Sequence, residues 1–105
     1  MEREELKNKN ARLLEACDHN ELDVVKDLLK NGASVDFVDR YGYLGTHLAT
    51  EKGYVDIVKF LLDNGADVNA VTKGKWTALH FAAENGDVDV VSVLLQNGVL
   101  EWFNE

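Results

Sequence analysis

Three runs along the chain place apolar residues three and four apart. They are Val25, Leu28 and Leu29; Val55, Val58, Leu61 and Leu62; and Val88, Val91, Leu94 and Leu95. Residues at that spacing share one face of a helix, so each run predicts a short amphipathic helix. Gly32, Gly65 and Gly98 stand just beyond the runs, where a left-handed residue ends a helix readily. A shorter helical stretch precedes each run, over residues 11–18, 46–52 and 78–85. Gly53 and Gly86, with Asn20 in the first unit, break each pair into a hairpin. Residues 34–44 and 67–76 lack helical periodicity and carry Asp, Asn and Gly, which predicts turns that project from the hairpins. Leu62 and Leu95, closing two of the apolar runs, are expected in the core.

The same residues return at a fixed interval. Asn31-Gly32-Ala33 recurs as Asn64-Gly65-Ala66 and again as Asn97-Gly98; His47 recurs as His80, and Ala16 as Ala49 and Ala82. Every spacing is 33, and of the 55 positions from 11 to 65, 22 carry the same residue 33 places on. Composition alone does not produce that agreement. A repeat of this length is the signature of stacked units that each bury one face on a neighbour.

The repeated residues resemble the ankyrin repeat family over nearly the whole chain. Asp39-Arg40-Tyr41-Gly42 is similar to the family's D-x-x-G turn. Residues 77–86, from Thr77 through Leu79, His80 and Ala82 to Gly86, match T-P-L-H-x-A-A-x-x-G except that Ala78 replaces proline. Residues 56–70 match the second helix and its closing turn almost throughout. The resemblance implies an all-α solenoid of three stacked helix-turn-helix units with projecting turns. A single domain is expected over residues 1–105, with units at about 6–38 (an N-terminal cap), 39–71 and 72–105 (a C-terminal cap). It also implies structural roles for His47, Thr77 and His80, the histidines bridging neighbouring loops through hydrogen bonds.

The chain departs from the family pattern in places. The first unit has Arg12-Leu13-Leu14 in place of the box, and Asp27 stands where Phe60 and Val93 stand later, as suits an outward-facing cap. In the second unit, Leu44-Gly45-Thr46-His47, only the histidine survives, so its hydrogen-bond network must differ from that of Thr77 and His80 or be absent. The chain has no proline, a departure that an engineered or a heavily diverged sequence would show.

Charge narrows the partners. Nineteen acidic against 11 basic residues give a formal charge of −8, and no Lys or Arg follows Lys75. Nucleic-acid phosphates and anionic membrane surfaces both call for a basic face, so neither is an expected partner. No apolar run is long enough to span a bilayer. The N-terminus lacks a secretory pattern, and Cys17 is the sole cysteine, so a cytoplasmic or otherwise intracellular protein is expected.

No residue set points to catalysis, to a cofactor or to a metal. His47 and His80 recur because the repeat recurs. His19 beside Asp18 lacks a third ligand for a metal. Cys17 aligns with Thr50 and Ala83, small positions facing a neighbouring unit, and a buried inert thiol is expected there. The paired acids Asp36 and Asp39, and Asp87 and Asp89, lack calcium-loop spacing and sit at turns or helix starts. No glycine pattern matches a phosphate loop.

The positions that vary between units point instead to a non-enzymatic protein-protein interaction module. In the second unit they are Arg40, Tyr41, Tyr43, Leu44, Glu51, Lys52 and Tyr54. In the third they are Lys73, Gly74, Lys75, Trp76, Glu84, Asn85 and Asp87; in the first, Asp18, His19 and Glu21. Stacking in register would bring them to one concave face, with aromatic and basic turn tips above acidic helix ends. The alternative is a self-associating scaffold or a fragment of a longer array. Val93, Val99, Leu100, Trp102 and Phe103 would form an apolar C-terminal edge where a cap should be polar. They would either be covered by a local turn packing on Val91, Leu94 and Leu95 or form a homodimer contact, so monomer and homodimer are both expected states.

Overall fold

The computed structural model describes residues 2–98, and among them lie six α-helices and no strand. They are α1 (Glu2–Asp18), α2 (Leu22–Lys30), α3 (Gly45–Lys52), α4 (Val55–Asp63), α5 (Ala78–Asn85) and α6 (Val88–Gln96). Each odd helix pairs with the even one after it. The odd helices pack in series as an inner row, α1 on α3 on α5, and the even ones as an outer row, α2 on α4 on α6. The all-helical stack expected from the sequence is present.

The apolar runs supply the seam between the rows. Val25, Ile57, Val58, Leu61, Val90 and Leu94 are buried in one continuous core with Leu13 and Leu79. Ala16, Ala49 and Ala82, equivalent positions of the three inner helices, are all buried, and their small side chains let those helices approach. Cys17 continues this seam. A Cβ on Gly45 would lie 2.7 Å from the Cys17 Sγ, so only glycine fits where α3 begins against α1. Asn20, with φ 60°, takes the left-handed helix-ending conformation that Gly53 and Gly86 take in the later units.

Three details differ from the expectation. Helix α1 starts at Glu2, well ahead of residue 11. Residues 4–8 are exposed and mostly polar, so the helix propensity of Glu and Lys extends it where amphipathic pattern gives no signal. Lys9 donates to the Asn31 carbonyl at 2.9 Å, and Asn10 accepts from the Ser34 N–H at 2.7 Å, which ties α1 to the turn after α2. Leu62 is buried, but Leu95 is 44% exposed, because α6 is the last outer helix described and, among the described residues, packs mainly on α4 and α5. Val93, assigned to an exposed edge, is buried in the core at 8% exposure. Val99, Leu100, Trp102 and Phe103, with the local turn expected there, lie outside the described residues.

The second unit carries two costs that its neighbours avoid. Thr46 and Thr50 replace Leu79 and Ala83 of the third unit. Both are buried, with hydroxyls that reach no hydrogen-bond partner among the described residues. A buried unsatisfied hydroxyl costs about 1–3 kcal/mol.

His47 holds this unit to the next. Its Nδ1 accepts the Leu44 backbone N–H at 2.9 Å, so that nitrogen carries a lone pair. The proton therefore sits on Nε2, which donates to the Ala70 carbonyl at 3.0 Å, just before the following turn. Leu44 has no side-chain acceptor, so the exchange that Thr77 and His80 make in the third unit is only half made here. The network is thus present, with backbone groups as its partners. Burial holds the His47 pKa below the usual 6.5, against smaller upward pulls from the Ala70 carbonyl and the Asp39 carboxylate.

Two measurements check this packing. Leu94→Ala should lower stability by about 2–5 kcal/mol in urea denaturation, and Leu95→Ala by much less. Equal losses would misplace the core. For His47, the unfolded chain takes up a proton near pH 6.5 that the folded chain resists. Its stabilisation is therefore complete above that pH and is lost as pH falls from there toward the lower folded pKa. The urea midpoint should drop between pH 7.5 and 5.5, with a smaller drop in His47→Asn; identical slopes in the two proteins would show that His47 is not the group responsible.

Candidate functional site

The two projecting turns are rigid for reasons local to each. In the first, the Asp39 carboxylate Oδ1 accepts from the backbone N–H of Tyr41 at 2.8 Å and of Tyr43 at 3.0 Å. The Asp39 N–H donates to the Tyr43 carbonyl at 3.0 Å and closes the loop. In the second, the Thr72 N–H donates to the Trp76 carbonyl at 2.9 Å, and the Trp76 N–H donates to the Thr72 hydroxyl at 3.2 Å. The same closure is thus built from a different side chain. The Lys73 N–H donates to the Tyr41 carbonyl at 3.0 Å and zips the tips together. Gly42 makes that approach possible: its φ is 81°, and a Cβ there would stand 2.9 Å from the Lys73 nitrogen.

Below the tips, the inner helices are clamped at their C-terminal ends. The Asn85 amide donates to the Glu51 carbonyl at 2.8 Å, and Lys52 pairs with Asp18 at 3.2 Å. That hydrogen-bonded carboxylate raises the Lys52 pKa above the ordinary lysine value. With tips and helix ends both in register, an open cleft of about 670 Å³ lies between them. Its lining repeats: Asp39 with Thr72, Tyr43 with Trp76, Leu48 with Phe81 and Glu51 with Glu84 are each 33 positions apart, as are Tyr41 and Gly74. Lys73 completes it.

Aromatic rings form the cleft's wall. Phe81 lies between Tyr43, at 5.6 Å between centroids, and Trp76, at 5.0 Å. His47 stands behind it, 6.0 Å from Tyr43 and 6.1 Å from Phe81. Trp76 also approaches His80 at 5.6 Å. The histidine that braces the repeat therefore also backs the wall. Tyr41 is 58% exposed, with the Arg40 guanidinium 5.2 Å from its ring centroid.

Of the residues expected to face a partner, Tyr41, Tyr43, Glu51, Lys73, Trp76 and Glu84 meet at this cleft. Arg40 and Lys75 are exposed on the tips, and Lys75 takes a left-handed φ of 67° where the first turn has Gly42. Lys52 and Asn85 are occupied in the inter-helix clamps. Asp87 caps α6, accepting from the Val90 N–H at 3.2 Å, and Tyr54 packs half-buried on the core. Leu44, expected to face a partner, is instead buried at 4% exposure, because it leads into α3 and its N–H is held by His47. Asp39, Leu48, Thr72 and Phe81 belong to the lining without having been expected there. The signal was in the repeat: Leu48 and Phe81 are apolar where the first unit has the exposed Glu15.

The reactive residue types sit in structural places. Burial pushes the Cys17 thiol up to about 12, helped by the Asp18 carboxylate beside it. His19 Nε2 is 4.0 Å from Asp18, whose other oxygen holds Lys52. Among the described residues, no three His, Cys, Asp or Glu side chains gather as a metal site would require, and no helix is long and apolar enough to cross a membrane.

Comparison with known proteins agrees with this architecture. A family model for ankyrin repeats in three copies matches residues 13–101. No curated protein matches the chain. Repeats of this kind generally serve as protein–protein interaction modules rather than as enzymes. Its period, its paired inner and outer helices and its box around Thr77 and His80 make the chain a member of the ankyrin repeat family.

Proposed function

We propose that this chain is a non-enzymatic binding module whose protein partner docks across the tips and inner helices of the second and third units. The cleft carries this reading, because five repeat-related pairs of residues line one continuous surface. Its wall holds Tyr43 and Trp76 half-exposed, with Tyr41 projecting above. Large, rigid aromatic side chains at a concave surface bury much area for little lost entropy and dominate protein interfaces. Chemistry finds no support beside it. Cys17 is buried with its proton held, and His47 spends both ring nitrogens on backbone groups.

The test is capture of the partner from a cell extract, followed by affinity measurement with a Tyr41→Ala/Trp76→Ala variant. Loss of the two anchors should weaken binding by about 2 kcal/mol or more, with the helical circular dichroism unchanged. A folded variant that binds its partner as tightly as the parent chain would place the interface elsewhere.

A further inference from the structure

The chemistry of the cleft specifies its occupant more closely, an inference that rests on the docking reading above. We propose that the cleft receives an arginine side chain from a basic segment of the partner. Three observations converge. The first is the wall: Tyr43, Phe81 and Trp76 stand in series at 5.6 and 5.0 Å, tilted by 43° and 44°. Phe81 is buried between the other two, and the half-exposed rings of Tyr43 and Trp76 offer surface to a cation, which is attracted by the ring quadrupole.

The second is charge. Glu51 and Glu84 occupy equivalent places on α3 and α5, both exposed, and no Lys, Arg or His lies within salt-bridge distance of either among the described residues. Asp39 adds a third carboxylate, and Lys73 is the one cation of the lining, so three negative charges against one positive leave −2. A partner carboxylate would be repelled there. A purely apolar plug would strip water from the glutamates and give nothing back.

The third is geometry. Acids and rings line the same cleft, so its occupant must satisfy both at once. A guanidinium is planar, stacks on aromatic faces and presents a fork of donors that matches a carboxylate. An ammonium is a compact, strongly hydrated point charge that stacks less well. A cleft of about 670 Å³ also admits the residues flanking the arginine, which suits an extended segment.

A fluorescein-labelled, end-capped peptide of four Arg-Ser repeats provides the probe, read by fluorescence anisotropy. Its citrulline counterpart keeps the shape and removes the charge; its lysine counterpart keeps the charge and removes the fork. The citrulline peptide should bind about tenfold more weakly or worse, and the lysine peptide should fall between the two. Glu51→Gln/Glu84→Gln should weaken the arginine peptide about tenfold. Asp23→Asn/Asp56→Asn, on the outer helices, makes the same change in net charge and should have about a twofold effect at most. Circular dichroism confirms the fold of both variants. Equal binding of the citrulline or lysine peptide, or equal losses in the two double variants, would overturn the proposal; the last would leave only general attraction to a chain of charge −8. If no peptide binds while the captured partner still requires Tyr41 and Trp76, the arginine assignment fails and the docking reading stands. If the partner ignores both aromatics, the docking reading itself fails.

Discussion

The molecule depends on how closely its inner helices can approach. Ala49 and Ala82 are fully buried, and Cys17 lies so near Gly45 that a methyl group there would collide with sulfur. Helix axes pack 8–10 Å apart according to the side chains between them, and small residues bring them toward the lower figure. Close approach at that seam lets the outer helices bury Val25, Val58, Leu61, Val90 and Leu94 in one core. It also sets the register of everything attached to the helices. The tips zip through the Lys73 N–H, and the far ends through the Asn85 amide, only because the inner row is already aligned.

The site follows from that alignment. Neither unit alone makes the cleft: Phe81 of the third unit fills the space between Tyr43 of the second and its own Trp76. His47 links the two levels, since it fixes the entry to α3, reaches the Ala70 carbonyl ahead of the next turn, and backs the aromatic wall. One neutral imidazole thus serves the stack and the surface together. The second unit is the less well satisfied of the two, with the Thr46 and Thr50 hydroxyls buried without partners, yet it supplies half the lining.

Much of this was legible in the chain because a period of 33 states which residues must share an environment. Helix pairs, helix ends at Asn20, Gly53 and Gly86, and the exposed tips all follow from it. Residues whose environment depends on the end of the stack were not legible. Leu95 repeats Leu62 yet is exposed on the last described outer helix, and Val93 is buried where an open edge was expected. The early turns of α1 carry no apolar period to read. Leu44 looked like a tip residue, but the turn closes one residue earlier, at Tyr43 with Asp39, and leaves Leu44 entering the helix. Leu48 and Phe81 were readable in principle: one apolar position repeated on neighbouring inner helices, where the first unit has the exposed Glu15, marks the wall beneath the tips.

The central claim is that the aligned tips and inner helices of the second and third units form the binding surface. Amide hydrogen exchange of the intact chain with and without its captured partner addresses it directly. Exchange should slow on binding across residues 39–52 and 72–85, with α4 unchanged. Protection concentrated on the outer helices α4 and α6, with the inner row and tips unaffected, would contradict it.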